Sequence, residues 1–195
     1  MNIFKTILLL FFITSLVSCV MDSTKSGDQE SAGEKELIKI DADIEDDFNL
    51  ALSHLKKEDY DSAIELLEKI IAVEKRVPSP FINLGMAYSK KGDVEKAEKN
   101  LLMAVKIELT HPIANNQLGL LYRKKGEFDN AKKAYTNVLT EYPDNLPILK
   151  NLGILCELYM RDLACALTSY EHYLSLRPDD KVMKIWVADL RQRVK

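Results

Sequence analysis

The side chains best suited to acid–base, nucleophilic or metal chemistry are few and scattered in this 195-residue chain. Its three histidines, His54, His111 and His172, are far apart, and none has a histidine four residues away, the spacing that sets two imidazoles around one zinc ion on a helix face. There is no glycine-rich phosphate loop ending in Lys-Ser/Thr, no Gly-x-Ser-x-Gly elbow and no paired-cysteine zinc pattern. The many carboxylates are spread over what read as solvated helix faces. The sequence therefore nominates no catalytic residue, no metal ligand and no cofactor. A formal charge of -3 supplies no basic face to displace counterions from phosphates, which argues against nucleic acid as a partner. A composition 47% hydrophobic and 29% charged fits one or two packed soluble units.

The three cysteines carry more information. Cys19 closes a segment in which one charge, Lys5, precedes the apolar run Ile7 to Ile13. That run is shorter than the roughly 20 residues that span a bilayer and has the shape of a secretory signal. Leu16-Val17-Ser18-Cys19 resembles the lipobox of bacterial lipoproteins. The resemblance implies that residues 1–18 are a signal peptide, that the Cys19 thiol receives diacylglycerol, and that cleavage frees its amine for a further acyl chain. Two or three acyl chains make a lasting anchor where one does not. The alternatives are an ordinary signal peptide in which Cys19 is incidental, or a short uncleaved anchor. By the sorting rule such lipoproteins follow, Val20 rather than aspartate after the cysteine implies the outer membrane, facing the periplasm. Residues 19–43, rich in Ser, Gly, Asp, Glu and Lys, read as the lipidated cysteine and a flexible tether with a reach of roughly 25 Å.

A 34-residue period organises the remainder: Ala63, Ala97 and Ala131 follow it, as do Gly85, Gly119 and Gly153, and Gly92 with Gly126. All six prolines fall at junctions between units. Phe81, Leu84, Gly85, Tyr88, Gly92, Ala97 and Leu101, then Asn115, Leu118, Gly119, Tyr122, Gly126, Ala131, Tyr135 and Pro143, resemble the tetratricopeptide repeat. Looser versions begin at Asp47 and Leu149. The resemblance implies an all-α solenoid of four helical hairpins over residues 44–180, in units of about 44–77, 78–111, 112–145 and 146–180, with residues 181–195 as a capping helix.

Each frame position has an expected role. Gly85, Gly119 and Gly153 let the second helix of a hairpin lie close, with Ala97, Ala131 and Ala166 opposite. Gly92 and Gly126 suit the left-handed residue that ends a first helix. Ser79 before Pro80 reads as an N-cap. His54 takes the place of the packed tyrosines Tyr88 and Tyr122. Gly153 to Ala166 is one residue longer than Gly85 to Ala97, which puts an extra residue in the turn of repeat four. Val182, Ile185, Trp186 and Leu190 form the apolar face of the cap, with Trp186 as a lid on repeat four.

Two ladders on the first helices fall where such repeats line their concave groove. Asn49, Asn83, Gln117 and Asn151 can pair with the backbone of an extended peptide. Leu52, Met86, Leu120 and Ile154 would make an apolar stripe beside them, and exposed apolar stripes mark interaction surfaces. Lys56, Lys90 and Lys124 add a positive edge, broken by Leu158. Phe48 and Leu52 depart from the lysine–asparagine clamp by which some members of the family hold a terminal carboxylate. In repeat four, Cys156 and Cys165 read either as a disulfide between the two helices or as two small buried apolar side chains. The whole resembles the lipoprotein pilotins of type IV pili. The expected function is a non-catalytic scaffold or adaptor at the outer membrane that binds a segment or helix of an envelope protein in its groove. The rivals are a self-associating structural lipoprotein, with a homo-oligomer as partner, and an adaptor for peptidoglycan enzymes or outer-membrane assembly.

Overall fold

The computed structural model describes residues 41–194, so Cys19, the signal segment and most of the tether lie outside the described residues. Within them four antiparallel hairpins follow one another: α1 (Ala42–Lys56) with α2 (Tyr60–Val73), α3 (Pro78–Lys91) with α4 (Val94–Ile107), α5 (Pro112–Lys125) with α6 (Phe128–Glu141), and α7 (Leu146–Ile154) with α8 (Leu163–Leu176). A single helix, α9 (Lys181–Arg193), closes the stack, and no strand occurs among the described residues. This is the expected all-α solenoid. No helix among the described residues is long and apolar enough to cross a membrane.

Helix starts are set by side-chain caps that satisfy backbone N–H groups left over in the first turn. Asp59, Asp93, Asp162 and Asp180 each accept from the residue three positions on. Asp41 caps α1, so the first helix begins at Ala42, inside the stretch read as tether. Proline stands in the first two positions of α3, α5 and α7. The reading of Ser79 as an N-cap is corrected: α3 starts earlier, at Pro78, after Val77, which makes no side-chain cap.

First helices end in left-handed residues, at Gly92 (φ 84°) and Gly126 (φ 80°). The same corner falls on Glu58 (φ 60°) and Arg161 (φ 55°), residues with a Cβ that disfavours this backbone. The extra residue of repeat four sits in the first helix and not in the turn. It widens Leu155–Met160 into a π-helical turn, which absorbs one residue and delivers the chain to its corner at Arg161.

The core runs continuously through the hairpins, from Ala51 and Leu67 to Tyr170, Val187 and Leu190. Its glycines have a sharper cause than facing alanines. A Cβ at Gly85 would lie 2.7 Å from Leu101 Cγ, and at Gly119 or Gly153 it would fall within 3.0 Å of the Tyr135 or Tyr170 ring. The side chain that requires the glycine stands four residues after Ala97, Ala131 and Ala166. On α9 the buried stripe is Met183, Val187 and Leu190. Trp186 leans on Tyr170 with ring centroids 5.6 Å apart, while Val182 and Ile185 are 57% and 67% exposed, so the expected apolar face of the cap is only partly the buried one.

Candidate functional site

First helices of successive repeats touch: α1 meets α3, α3 meets α5 and α5 meets α7, while no contact of similar extent joins the second helices. The stack therefore closes more tightly along its first helices, which line its inner side. The predicted groove residues all lie on these helices.

The apolar ladder is graded along its length. Leu52 is exposed, whereas Met86, Leu120 and Ile154 are half-buried. Met86 packs against the local cluster of Phe81, Ile82, Ala104 and Ala114, and Ile154 against the main core. The amide ladder is divided in its partners. Asn83 Nδ2 donates to Ser79 O at 2.9 Å and Asn151 Nδ2 to Asn116 Oδ1 at 2.7 Å, while Asn49 is exposed. Leu52, Lys56, Asn83, Met86 and Lys90 come together around a depression of about 360 Å³ between α1 and α3, lined also by Leu55, Glu58, Tyr60 and Ala87.

The lysines divide sharply. Lys91 is paired with Asp61, and Lys125 with Glu98 at 2.7 Å and Glu127 at 2.6 Å. The carboxylates of Glu127 and Glu98 push the Lys125 ammonium above the usual lysine range. The neighbouring Lys56, Lys90 and Lys124 are exposed and have no carboxylate partner among the described residues. One lysine of each pair at 90–91 and 124–125 is thus held in an ion pair within the fold, while the other is not.

Counted back two residues from the left-handed corner, the position of Lys56, Lys90 and Lys124 falls in repeat four on Tyr159, not Leu158. The π-helical turn shifts the frame by one. Tyr159 lies against Phe128 (centroids 5.3 Å apart) and under the Arg123 guanidinium at 5.5 Å, while Leu158 stands 65% exposed beside it. Sequence reasoning missed Arg123 and Tyr159, because the offset appears only once the turn is placed.

Of the histidines, His54 is not simply packed. It is half-buried and its Nδ1 lies 2.9 Å from Asp59 Oδ2, the carboxylate that caps α2. His172 pairs in the same way with Asp144 at 2.9 Å. Cys156 and Cys165 are joined in a disulfide with Cα atoms 5.8 Å apart, between the π-helical turn and the first turn of α8.

Tetratricopeptide-repeat family models match residues 48–108 and, separately, residues 112–145. The chain contains tetratricopeptide repeats. No curated protein sequence matches it. Among solved structures, MamA from Desulfovibrio magneticus RS-1 aligns over 80% of this chain and 87% of its own, with a TM-score of 0.67 and 17% identity. TTC0263, a thermophilic TPR protein of Thermus thermophilus, aligns over 77% and 82%, with a TM-score of 0.62 and 26% identity. Naa15/Naa10 bound to HypK-THB aligns over 77% of this chain but only 22% of that one, with a TM-score of 0.65 and 23% identity. These likenesses establish the architecture, a tetratricopeptide-repeat solenoid.

Proposed function

We propose that the inner face of the first helices binds a segment or helix of a protein partner, and that the chain is a non-catalytic adaptor. The observation that carries this reading is the lysine ladder Lys56, Lys90 and Lys124, left unpaired on the same face as the Leu52–Met86 depression. Charges without internal partners do little for a fold, but beside an apolar depression they supply orientation and steering to a ligand. Naa15/Naa10 bound to HypK-THB offers a parallel, since a chain with a region of similar fold is there part of a protein complex.

The lipobox at Cys19 supports a lipid anchor, and Val20 an outer-membrane location facing the periplasm, with an envelope protein as partner. Within that setting the combination of anchor and repeats favours a pilotin-like role, in which the adaptor delivers or assembles a second envelope component. Capture of the lipidated protein from crosslinked envelopes tests the proposal. A single envelope protein should be enriched with wild type and lost with a Met86→Glu, Leu120→Glu variant that stays helical by circular dichroism. Retention of the same partner by that variant would move the binding surface elsewhere.

A further inference from the structure

Repeat four departs from repeats two and three in three ways at one place: the π-helical turn Leu155–Met160, a left-handed corner on Arg161 where they have glycine, and two cysteines where they carry none. The Sγ atoms of Cys156 and Cys165 and a carboxylate oxygen of Asp162 all lie within 4.8 Å of one another, the one place among the described residues where three metal-ligating side chains converge. Asp162 is already fixed: its Oδ1 accepts from Cys165 N at 3.0 Å, and its Oδ2 lies 3.2 Å from Lys132 Nζ. Each carboxylate oxygen retains a further lone pair. Cys156 is fully buried, whereas Cys165 is half-buried and the more accessible of the two.

We propose that this cluster is a site with two exclusive states, a disulfide or a thiolate-rich centre for a zinc-class divalent ion. The exchange balances with a dithiol as reductant. A partner thiolate attacks Sγ of Cys165, the Cys156–Cys165 bond breaks, and the sulfur of Cys156 leaves and takes up a proton. The second partner thiol then displaces Cys165, so that the partner leaves as a disulfide and two electrons and two protons remain on the cysteine pair. A divalent ion then replaces the two thiol protons, bound by two sulfurs at about 2.3 Å and the Asp162 carboxylate at about 2.0–2.2 Å, with a fourth position open to water. Two thiolates with one carboxylate suit a borderline-soft tetrahedral ion over calcium or magnesium, which take oxygen ligands. The positive end of α8 favours anionic sulfur at Cys165. Lys132, with a side chain about one-third exposed, can turn to water as the cation arrives. Reoxidation of the pair expels the ion, because both sulfurs are then spent on each other.

The test uses the full chain in detergent, oxidised or reduced with a phosphine that is then removed under nitrogen, and cobalt(II) and zinc(II) as probes. Equilibrium dialysis and thiolate-to-cobalt absorption should show one ion per reduced chain and none per oxidised chain. Cys165→Ser should abolish uptake. Asp162→Asn, which keeps a side-chain cap for α8, should weaken it by about tenfold or more with the helical spectrum unchanged. Equal uptake by the oxidised chain, or none by the reduced chain beyond that of a Cys156→Ser, Cys165→Ser variant, would overturn the proposal. Unchanged affinity in Asp162→Asn would overturn the three-ligand site.

Discussion

Gly119 lies directly beneath the Tyr135 ring, so that a Cβ at residue 119 would fall within 3.0 Å of Tyr135 Cε1, Cζ and Cδ1. Glycine inside a helix costs about 1 kcal/mol relative to alanine. Here that cost admits a fully buried aromatic side chain four residues after Ala131.

Gly119→Ala should therefore destabilise the protein by about 1–3 kcal/mol despite alanine's better helix propensity, as measured by denaturant unfolding. Repeat one places Ala51 and Leu67 in the corresponding positions, both fully buried. Adding Tyr135→Leu to Gly119→Ala should accordingly recover part of the loss. A double variant less stable than either single one would refute this pairing.

Tyr135 and Tyr170 fill equivalent places with different hydroxyl partners. Tyr170 Oη donates to Glu157 at 3.2 Å, whereas the buried Tyr135 Oη has no hydrogen-bond partner, and burial pushes its phenol up to about 12. Tyr135→Phe should be neutral or stabilising by about 1 kcal/mol, and Tyr170→Phe should cost about 1 kcal/mol. Thermal unfolding of the two variants side by side checks the contrast, and the opposite order would contradict it.

At the corners the cost is in the backbone alone, since a Cβ at Gly92 or Gly126 meets nothing within 4 Å. Glu58→Gly and Arg161→Gly should each stabilise by about 0.5–1 kcal/mol, and Gly92→Ala should destabilise by about 1 kcal/mol. The midpoint of urea unfolding is the readout.

The side chain of Arg76 and then its backbone N–H hold the Glu74 carboxyl down to about 2, with Oε1 accepting from Arg76 N at 2.7 Å. A carboxylate whose folded value lies below its unfolded one stabilises the fold above the unfolded value and loses that stabilisation as pH falls. Stability contributed by Glu74 should thus be complete at neutral pH and vanish between about pH 4.5 and about pH 2. Glu74→Gln should flatten that limb of the stability profile. An unchanged acid limb would show that the Arg76 contact contributes nothing.

Much of this architecture was legible in the amino-acid order because a stacked repeat writes each packing position several times. Gly85, Gly119 and Gly153 announced a close approach, and Gly92 and Gly126 announced corners. The glycines' true neighbours were hidden, because Leu101, Tyr135 and Tyr170 differ in type while sharing a place. Counting revealed the extra residue in repeat four but not its form. A turn and a π-helical widening lengthen the chain equally, and only the second moves Tyr159 to the lysine position. Glu58 and Arg161 gave no sign of their left-handed backbone, since that conformation is imposed by the hairpin and not favoured by the residue. The ladder of Lys56, Lys90 and Lys124 could be read from spacing, but its freedom from internal ion pairs could not. That depends on where Asp61, Glu98 and Glu127 reach across from neighbouring elements.

The inner face of the first helices, proposed as the partner-binding surface, is open to a direct test. The direct measurement is photo-crosslinking in intact cells from a reactive side chain placed at residue 86, at residue 120 or at the exposed residue Leu102 on α4. One and the same protein adduct from positions 86 and 120, absent at 102 and lost on Lys90→Glu, Lys124→Glu, is the predicted result. Adducts from residue 102 alone, or adducts at 86 and 120 that survive the lysine reversals unchanged, would contradict it.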